Sequence, residues 1–197
     1  MDEPRVLTLS IHERDRWPHT GRLENQRKNA RNLPVPPGLN DSELNFLLDE
    51  VVLPLGERFA PEVLVIQGGA DGLADDPMSK LALSNGALWR AVARLRQLAP
   101  RVLMLGGGGY NPWAVARCWA GVWATLSGIE IPDRLPKPAE RLLRAVEWRH
   151  SRAREAPERW FTSLADPGND GDVRPELSEI AEAALRGAGT PASALAS

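Results

Sequence analysis

The sequence predicts an α/β domain built on a parallel sheet, and three observations carry the prediction. The first is Val102-Leu103-Met104-Leu105, wholly apolar, which runs into Gly106-Gly107-Gly108-Gly109-Tyr110. An apolar run of this length suits a strand covered on both faces, as in parallel sheets. The second is Val63-Leu64-Val65-Ile66-Gln67, which ends in Gly68-Gly69-Ala70-Asp71 and so repeats the design with a carboxylate. The third is helical periodicity beside each strand: Leu88, Val92, Leu95 and Leu98 within 84–99, and Val115, Trp119, Val122, Trp123 and Leu126 within 112–126. In α/β sheets ligands bind beyond the carboxyl ends of the strands, which is where both glycine turns fall.

The totals bound the rest. A chain of 197 residues, 43% hydrophobic and 25% charged, is long enough for one domain with a real core. A net charge of −2 gives no electrostatic case for nucleic acid or an anionic membrane as partner. There is no secretory signal pattern and no apolar run of bilayer length. The single cysteine, Cys118, excludes an internal disulfide and fits a reducing, cytoplasmic compartment. The three histidines form no His-His, His-x-His or His-Glu-x-x-His, so the sequence writes no complete histidine metal site.

In chain order, Arg5–Ile11 is an apolar strand ending at His12. Residues 13–39 form a polar excursion in which Asn32-Leu33-Pro34-Val35 suits a short edge strand, where proline is tolerated. Asn40-Asp41-Ser42-Glu43 is a capping signature, followed by Leu44, Leu47, Leu48, Val51 and Val52 at helical spacing. Pro54 is expected to kink or break that helix before Phe59. After the central strands, Asn111-Pro112 supplies an N-cap and a first-turn proline. Residues 131–138 are a proline-punctuated connector, and 139–153 read as a charged amphipathic helix. Residues 154–172 are irregular, with Trp160 and Phe161 pinning the loop to the body. Glu176–Arg186 reads as a last helix, and Gly187–Ser197 as a disordered tail. All tryptophans but Trp17 read as packing residues. The chain therefore divides into a main portion, 1–153, an extension with a helix, 154–186, and the tail, 187–197.

Four glycines let backbone approach a ligand closely, but the loop lacks both the Lys-Ser/Thr of a P-loop and the G-x-G-x-x-G spacing. A carboxylate at a buried strand end is costly unless paired or metal-bound, although Asp71 taken alone reads rather as a cap or turn residue. Asp75-Asp76-Pro77 reads as an ordinary turn, and His12 as hydrogen-bonded structure. Tyr110, behind four glycines at the mouth of the sheet, reads as a hydroxyl turned toward a ligand.

Taken together, Val6-Leu7-Thr8-Leu9-Ser10-Ile11-His12 with Trp17-Pro18-His19-Thr20-Gly21, Gln67-Gly68-Gly69-Ala70-Asp71 through Asp76-Pro77-Met78, and Leu105 through Asn111 with Val115–Trp119 resemble the histone deacetylase superfamily. The resemblance is nearest to its bacterial acetoin-utilisation (AcuC-like) branch and runs from about Arg5 to Pro136. It implies the three-layer arginase/deacetylase sandwich around one parallel sheet, and a zinc ion that polarises an acetyl-amide carbonyl and activates water. Asp71 matches a zinc ligand of that family, and Tyr110 the tyrosine that supports the developing oxyanion. Gly108 matches the backbone lining the acetyl pocket, Trp17 an aromatic wall of the acyl tunnel and Met78 its apolar rim. Ser10 and Ile11 match part of a potassium site. Gly68 stands where the family often has cysteine.

The larger departure is that the family's His-His pair and Asp-x-His ligands lie upstream of the stretch matching Arg5–His12. The chain therefore reads as the C-terminal portion of a deacetylase, with an incomplete zinc site and no histidine base. The resemblance also implies that the strand leading to Asp-x-His lies between those ending at His12 and Asp71, so a gap or a new pairing is expected there. Acetylated proteins or small acetylated molecules are the implied substrates of the complete enzyme, and an N-terminal deacetylase half the implied partner. The competing readings are a non-catalytic interaction module and, with less to support it, a nucleotide-binding domain.

Overall fold

The computed structural model describes residues 3–186. The tail expected at Gly187–Ser197 lies outside the described residues. Two parallel strand pairs form, as the continuous apolar runs require. Strand β1 (Thr8–Glu13) pairs with β2 (Ala30–Val35), from Thr8 opposite Ala30 to Glu13 opposite Val35. Strand β3 (Val63–Gln67) pairs with β4 (Arg101–Leu105), from Val63 opposite Arg101 to Gln67 opposite Leu105. The pairs stay two separate sheets. The gap that the resemblance implies is thus kept, and β1 finds no partner in β3.

β1 starts later than the Arg5 expected from sequence. Arg5 turns back onto the Glu3 carboxylate, and Val6 N–H donates to the Glu3 carbonyl, so pairing with β2 begins only at Thr8.

Helix α1 (Asp41–Leu47) opens on the expected capping box: Asn40 accepts from Glu43 N–H at 2.9 Å, and Glu43 accepts from Asn40 N–H at 3.1 Å. Pro54 does not break the helix. The chain passes through a π turn, Leu48–Val52, into α2 (Leu53–Phe59) and stops at Ala60 in the left-handed region. The wider turn takes up the ladder change around the missing proline N–H, so Leu47, Leu48, Val51 and Leu55 all stay buried. They form the main core with Leu33 and Val35 of β2 and with Leu177 and Ile180 of the last helix, α7 (Pro175–Leu185). The helix expected within a C-terminal extension is therefore packed into this core.

Helix α3 (Asn85–Leu95) crosses between β3 and β4, and α4 (Pro112–Ser127) follows β4, capped by Asn111 and ended at left-handed Gly128. The buried face of α4 is the expected one only in part: Val122 is buried and Val115 packs against the core, but the face is turned from the one expected. Trp113, Arg117, Cys118, Gly121 and Val122 are buried, while Trp123 is exposed. The reason is Trp89 on α3, whose ring occupies the space where a Cβ on Gly121 would sit, 2.0 Å away, and whose indole N–H donates to the Cys118 carbonyl at 2.9 Å. The helix expected over 139–153 ends early as α5 (Lys137–Arg144). Beyond it Trp148 packs edge-on against Trp113, and Trp160, in the short helix α6 (Arg159–Thr162), stacks on Trp113 at 5.4 Å.

The β3–β4 sheet has unequal faces. Leu64, Ile66, Val102 and Met104 turn inward, where Met104, Leu88 and Trp119 converge beside Gly68. In register on the other face, Val63, Val65, Leu103 and Leu105 are 41–54% exposed.

Candidate functional site

The turns that end β3 and β4 pack backbone on backbone. Ala70 N–H donates to the Gly108 carbonyl at 2.7 Å, and Gly68 N–H to the Leu105 carbonyl at 3.1 Å. A Cβ on Gly107 would lie 3.0 Å from the Gly68 carbonyl oxygen. One on Gly108 would lie 2.1 Å from Asp71 Oδ2, and one on Gly69 2.2 Å from Asp71 Oδ1. Glycine is required at these positions because the carboxylate of Asp71 takes the room a side chain would need. Asp71 itself sits in a short 3-10 turn, Ala70–Gly72.

Burial pushes the Asp71 carboxyl above the ordinary aspartate range. Backbone amides of Asp71 and Gly72 pull it back, while the Asp76 charge pushes it up further. No basic side chain forms an ion pair with it among the described residues. Such a carboxylate suits a cation. The complete set does not: catalytic zinc takes three protein ligands, and no group of three His, Cys, Asp or Glu side chains suited to a metal occurs among the described residues. Asp71 offers one such carboxylate, and the described residues do not make up a three-ligand zinc site around it.

Two of the other expected residues, Tyr110 and Met78, are tied to each other through Asp76 rather than through Asp71. Tyr110 N–H donates to Asp76 Oδ2 at 2.6 Å, and Met78 N–H to Asp76 Oδ1 at 2.8 Å. The Met78 carbonyl accepts from Arg16, the neighbour of Trp17. Trp17, Met78 and Tyr110 are 86%, 58% and 53% exposed, so they line an open surface. Two shallow hollows elsewhere, of about 490 and 450 Å³, are lined by neither Asp71 nor Tyr110. Ser10 and Ile11 lie on β1, in the other sheet, where Ser10 Oγ hydrogen-bonds His12 Nδ1 at 2.9 Å and His12 Nε2 meets the Gly21 carbonyl at 3.1 Å. The reading of His12 as hydrogen-bonded structure agrees with these contacts.

Sequence reasoning missed three carboxylates. Asp76 is a buried anchor rather than a simple turn residue. Asp75 receives Arg159 on both oxygens at 2.7 Å and the Trp160 indole N–H at 2.6 Å. Glu13, 8% exposed, accepts from Arg16 Nε, Ser79 Oγ and Lys80 N–H. Beside the local partners Met78 and Arg16, their remaining partners (Tyr110, Arg159, Trp160, Ser79 and Lys80) lie far along the chain, so local pattern carries no trace of those contacts. Cys118 is inert by comparison, its thiol pushed by burial up to about 12.

The chain is similar to known proteins over much of its length. Human histone deacetylase 1 is 33% identical over 138 residues, 67% of this chain and 29% of that protein. Histone deacetylase 19 of Arabidopsis thaliana is 32% identical over 139 residues, 68% of this chain and 28% of that protein. The crystal structure of a histone deacetylase homologue from Aquifex aeolicus superposes with a TM-score of 0.82 at 36% identity, covering 91% of this chain and 50% of that one. A homologue complexed with SAHA gives 0.83 at the same identity and coverage. The chain thus spans half the length of these solved relatives and less than a third of those two curated ones, and its α/β architecture is that of the arginase/deacetylase fold. The model of the histone deacetylase domain matches residues 1–126, well over half of the sequence, and the chain belongs to that family.

Proposed function

We propose that this chain forms the part of a deacetylase site that carries the tyrosine hydroxyl and one metal-binding carboxylate, and that it hydrolyses no acetyl amide by itself. The observation that carries the reading is the seat of Asp71 on Gly69 and Gly108, against the turn that presents Tyr110. In the completed enzyme Asp71 is one ligand of the family's zinc. Tyr110 donates its hydroxyl to the carbonyl oxygen as negative charge develops there, a stabilisation that counts most where water is excluded. The Gly108 backbone lines the acetyl pocket, and Trp17 and Met78 flank the acyl chain. Acetyl-lysine in a protein, or a small acetylated amine, is the substrate class. Ser10 Oγ and the Ile11 carbonyl are proposed contributors to a potassium site. A bacterial acetoin-utilisation relationship and a reducing, cytoplasmic setting belong to the same proposal, supported by the quoted motifs and the lone buried cysteine.

A complementary deacetylase half supplies the remaining ligands and the general base, and covers the exposed face of Val63, Val65, Leu103 and Leu105. That apolar face also favours the second reading, a non-catalytic module that binds a partner through it. Co-expression with the half of a solved relative that this chain does not match separates the two. Hydrolysis of an acetyl-lysine peptide by the pair, absent from either part and lost in Asp71→Ala, is the expected result. A stable pair without turnover gives the module, and turnover by this chain alone overturns the incomplete site.

A further inference from the structure

Asp76 does more than close a turn. It is 1% exposed, and its two carboxylate oxygens are divided between two segments. The bond from Met78 N–H is local, an ordinary Asx turn. The 2.6 Å bond from Tyr110 N–H spans 34 residues and ties the turn after β3 to the glycine turn after β4, in addition to the Ala70–Gly108 contact. Carboxylate bonds to backbone N–H are shorter and roughly twice as strong as neutral ones, more so when water is excluded. The turn is also held from behind. Arg152 donates to the Asp76 carbonyl at 3.0 Å, and Asn111 Nδ2 to the Asp75 carbonyl at 3.0 Å. Arg159 and Trp160 grip the Asp75 carboxylate while Trp160 stacks on Trp113 in the first turn of α4. Residues 152–160 lie beyond the 1–126 family match, yet they reach the site turn.

We propose that Asp76 is a positioning residue: its buried carboxylate sets the backbone of Tyr110 and Met78, and residues 152–160 brace the Asp75–Asp76 turn against α4. The tether is a matter of geometry; its value for catalysis rests on the deacetylase reading of Tyr110. It acts through Tyr110 and touches no substrate.

Tyr110 is the only tyrosine, so the full chain grown with 15N-tyrosine gives one amide cross-peak, that of the tethered N–H. The expected result is a wild-type amide proton well downfield of an unbonded one. It moves upfield in Asp76→Asn, further in Asp76→Ala, and by a smaller step in Arg159→Gln, with the near-ultraviolet circular dichroism of the tryptophans preserved. Asp76→Asn keeps an acceptor without the charge, so its intermediate place separates a charged tether from simple packing. A wild-type peak at the unbonded position overturns the proposal without any variant. So does a peak that stays in place in folded Asp76→Asn. Either failure leaves the deacetylase reading standing. Conversely, unchanged turnover of a completed enzyme carrying Tyr110→Phe removes that reading and leaves the tether.

Discussion

Gly108 and Asp71 are in contact so close that a methyl group on Gly108 would lie 2.1 Å from Oδ2 and 2.5 Å from the carboxyl carbon of Asp71. Gly108→Ala therefore displaces the carboxylate or the turn beneath it. A loss of about 1–3 kcal/mol is expected from overpacking. Asp71→Ala removes the obstructing atoms, so the double variant should recover part of the loss. Urea unfolding of the four proteins in this cycle measures the coupling. A Gly108→Ala chain as stable as the parent would show that the turn yields freely.

Ionising Asp71 costs this chain stability. Its folded pKa is raised, first by burial, so the folded state binds the proton more tightly than the unfolded state does. The stabilisation is present below the ordinary aspartate value, near 3.8, and is lost as pH rises through the higher folded value. Asp71→Asn removes this dependence. The variant should be the more stable protein at pH 7, with the difference shrinking toward acid. Unfolding midpoints across pH 3–8 test it, and a less stable Asp71→Asn at pH 7 contradicts the assignment.

Zinc should bind the 197-residue chain weakly, because one carboxylate without two further ligands cannot close a catalytic site. Dialysis against a mild chelator followed by metal analysis should leave far less than one zinc per chain. Stoichiometric zinc that disappears in Asp71→Ala would sink the idea.

If a complementary half restores activity, Tyr110→Phe should lower kcat by on the order of 10²–10³ without altering the melting temperature, the usual loss for one oxyanion donor. Tyr110 is half exposed, so loss of its hydroxyl leaves the core untouched. Steady-state kinetics of the reconstituted pair decide the point. Unchanged turnover would reduce Tyr110 to a surface residue.

The exposed face of β3–β4 should make the isolated chain self-associate. Val65→Lys with Leu103→Glu should shift size-exclusion elution toward the monomer. Stability should change by no more than about 0.5 kcal/mol per site, since both side chains are more than half exposed. A monomeric parent would refute this.

Much of the fold that carries the glycine turns was legible because its signals are local. Apolar runs closed by glycine fix β3 and β4, and the capping residues Asn40 and Asn111 begin their helices where the sequence places them. What could not be read depends on contacts between distant segments. Trp89 selects Gly121 and so rotates the buried face of α4, which leaves Trp123 in solvent. Trp148 leaves the helical pattern at 139–153 to pack on Trp113. Asp76 looks like any turn aspartate until Tyr110 is brought beside it.

The unjoined strand pairs bear on how the molecule comes apart. Among the described residues no backbone ladder runs between β1–β2 and β3–β4, so cooperativity between them passes through loop contacts, such as Gly38 N–H to the Lys80 carbonyl at 2.7 Å and Ala82 N–H to the Leu39 carbonyl at 2.9 Å, and through side chains. Asp41, wholly buried at the start of α1, is the principal rivet: it accepts from Ser84 N–H and Oγ at the cap of α3, from Arg90 and from Asn169 N–H. Native-state amide exchange should then resolve two blocks of protection, one per strand pair with its helices, opening at different denaturant concentrations. Cutting the rivet with Asp41→Ala would widen the interval between them.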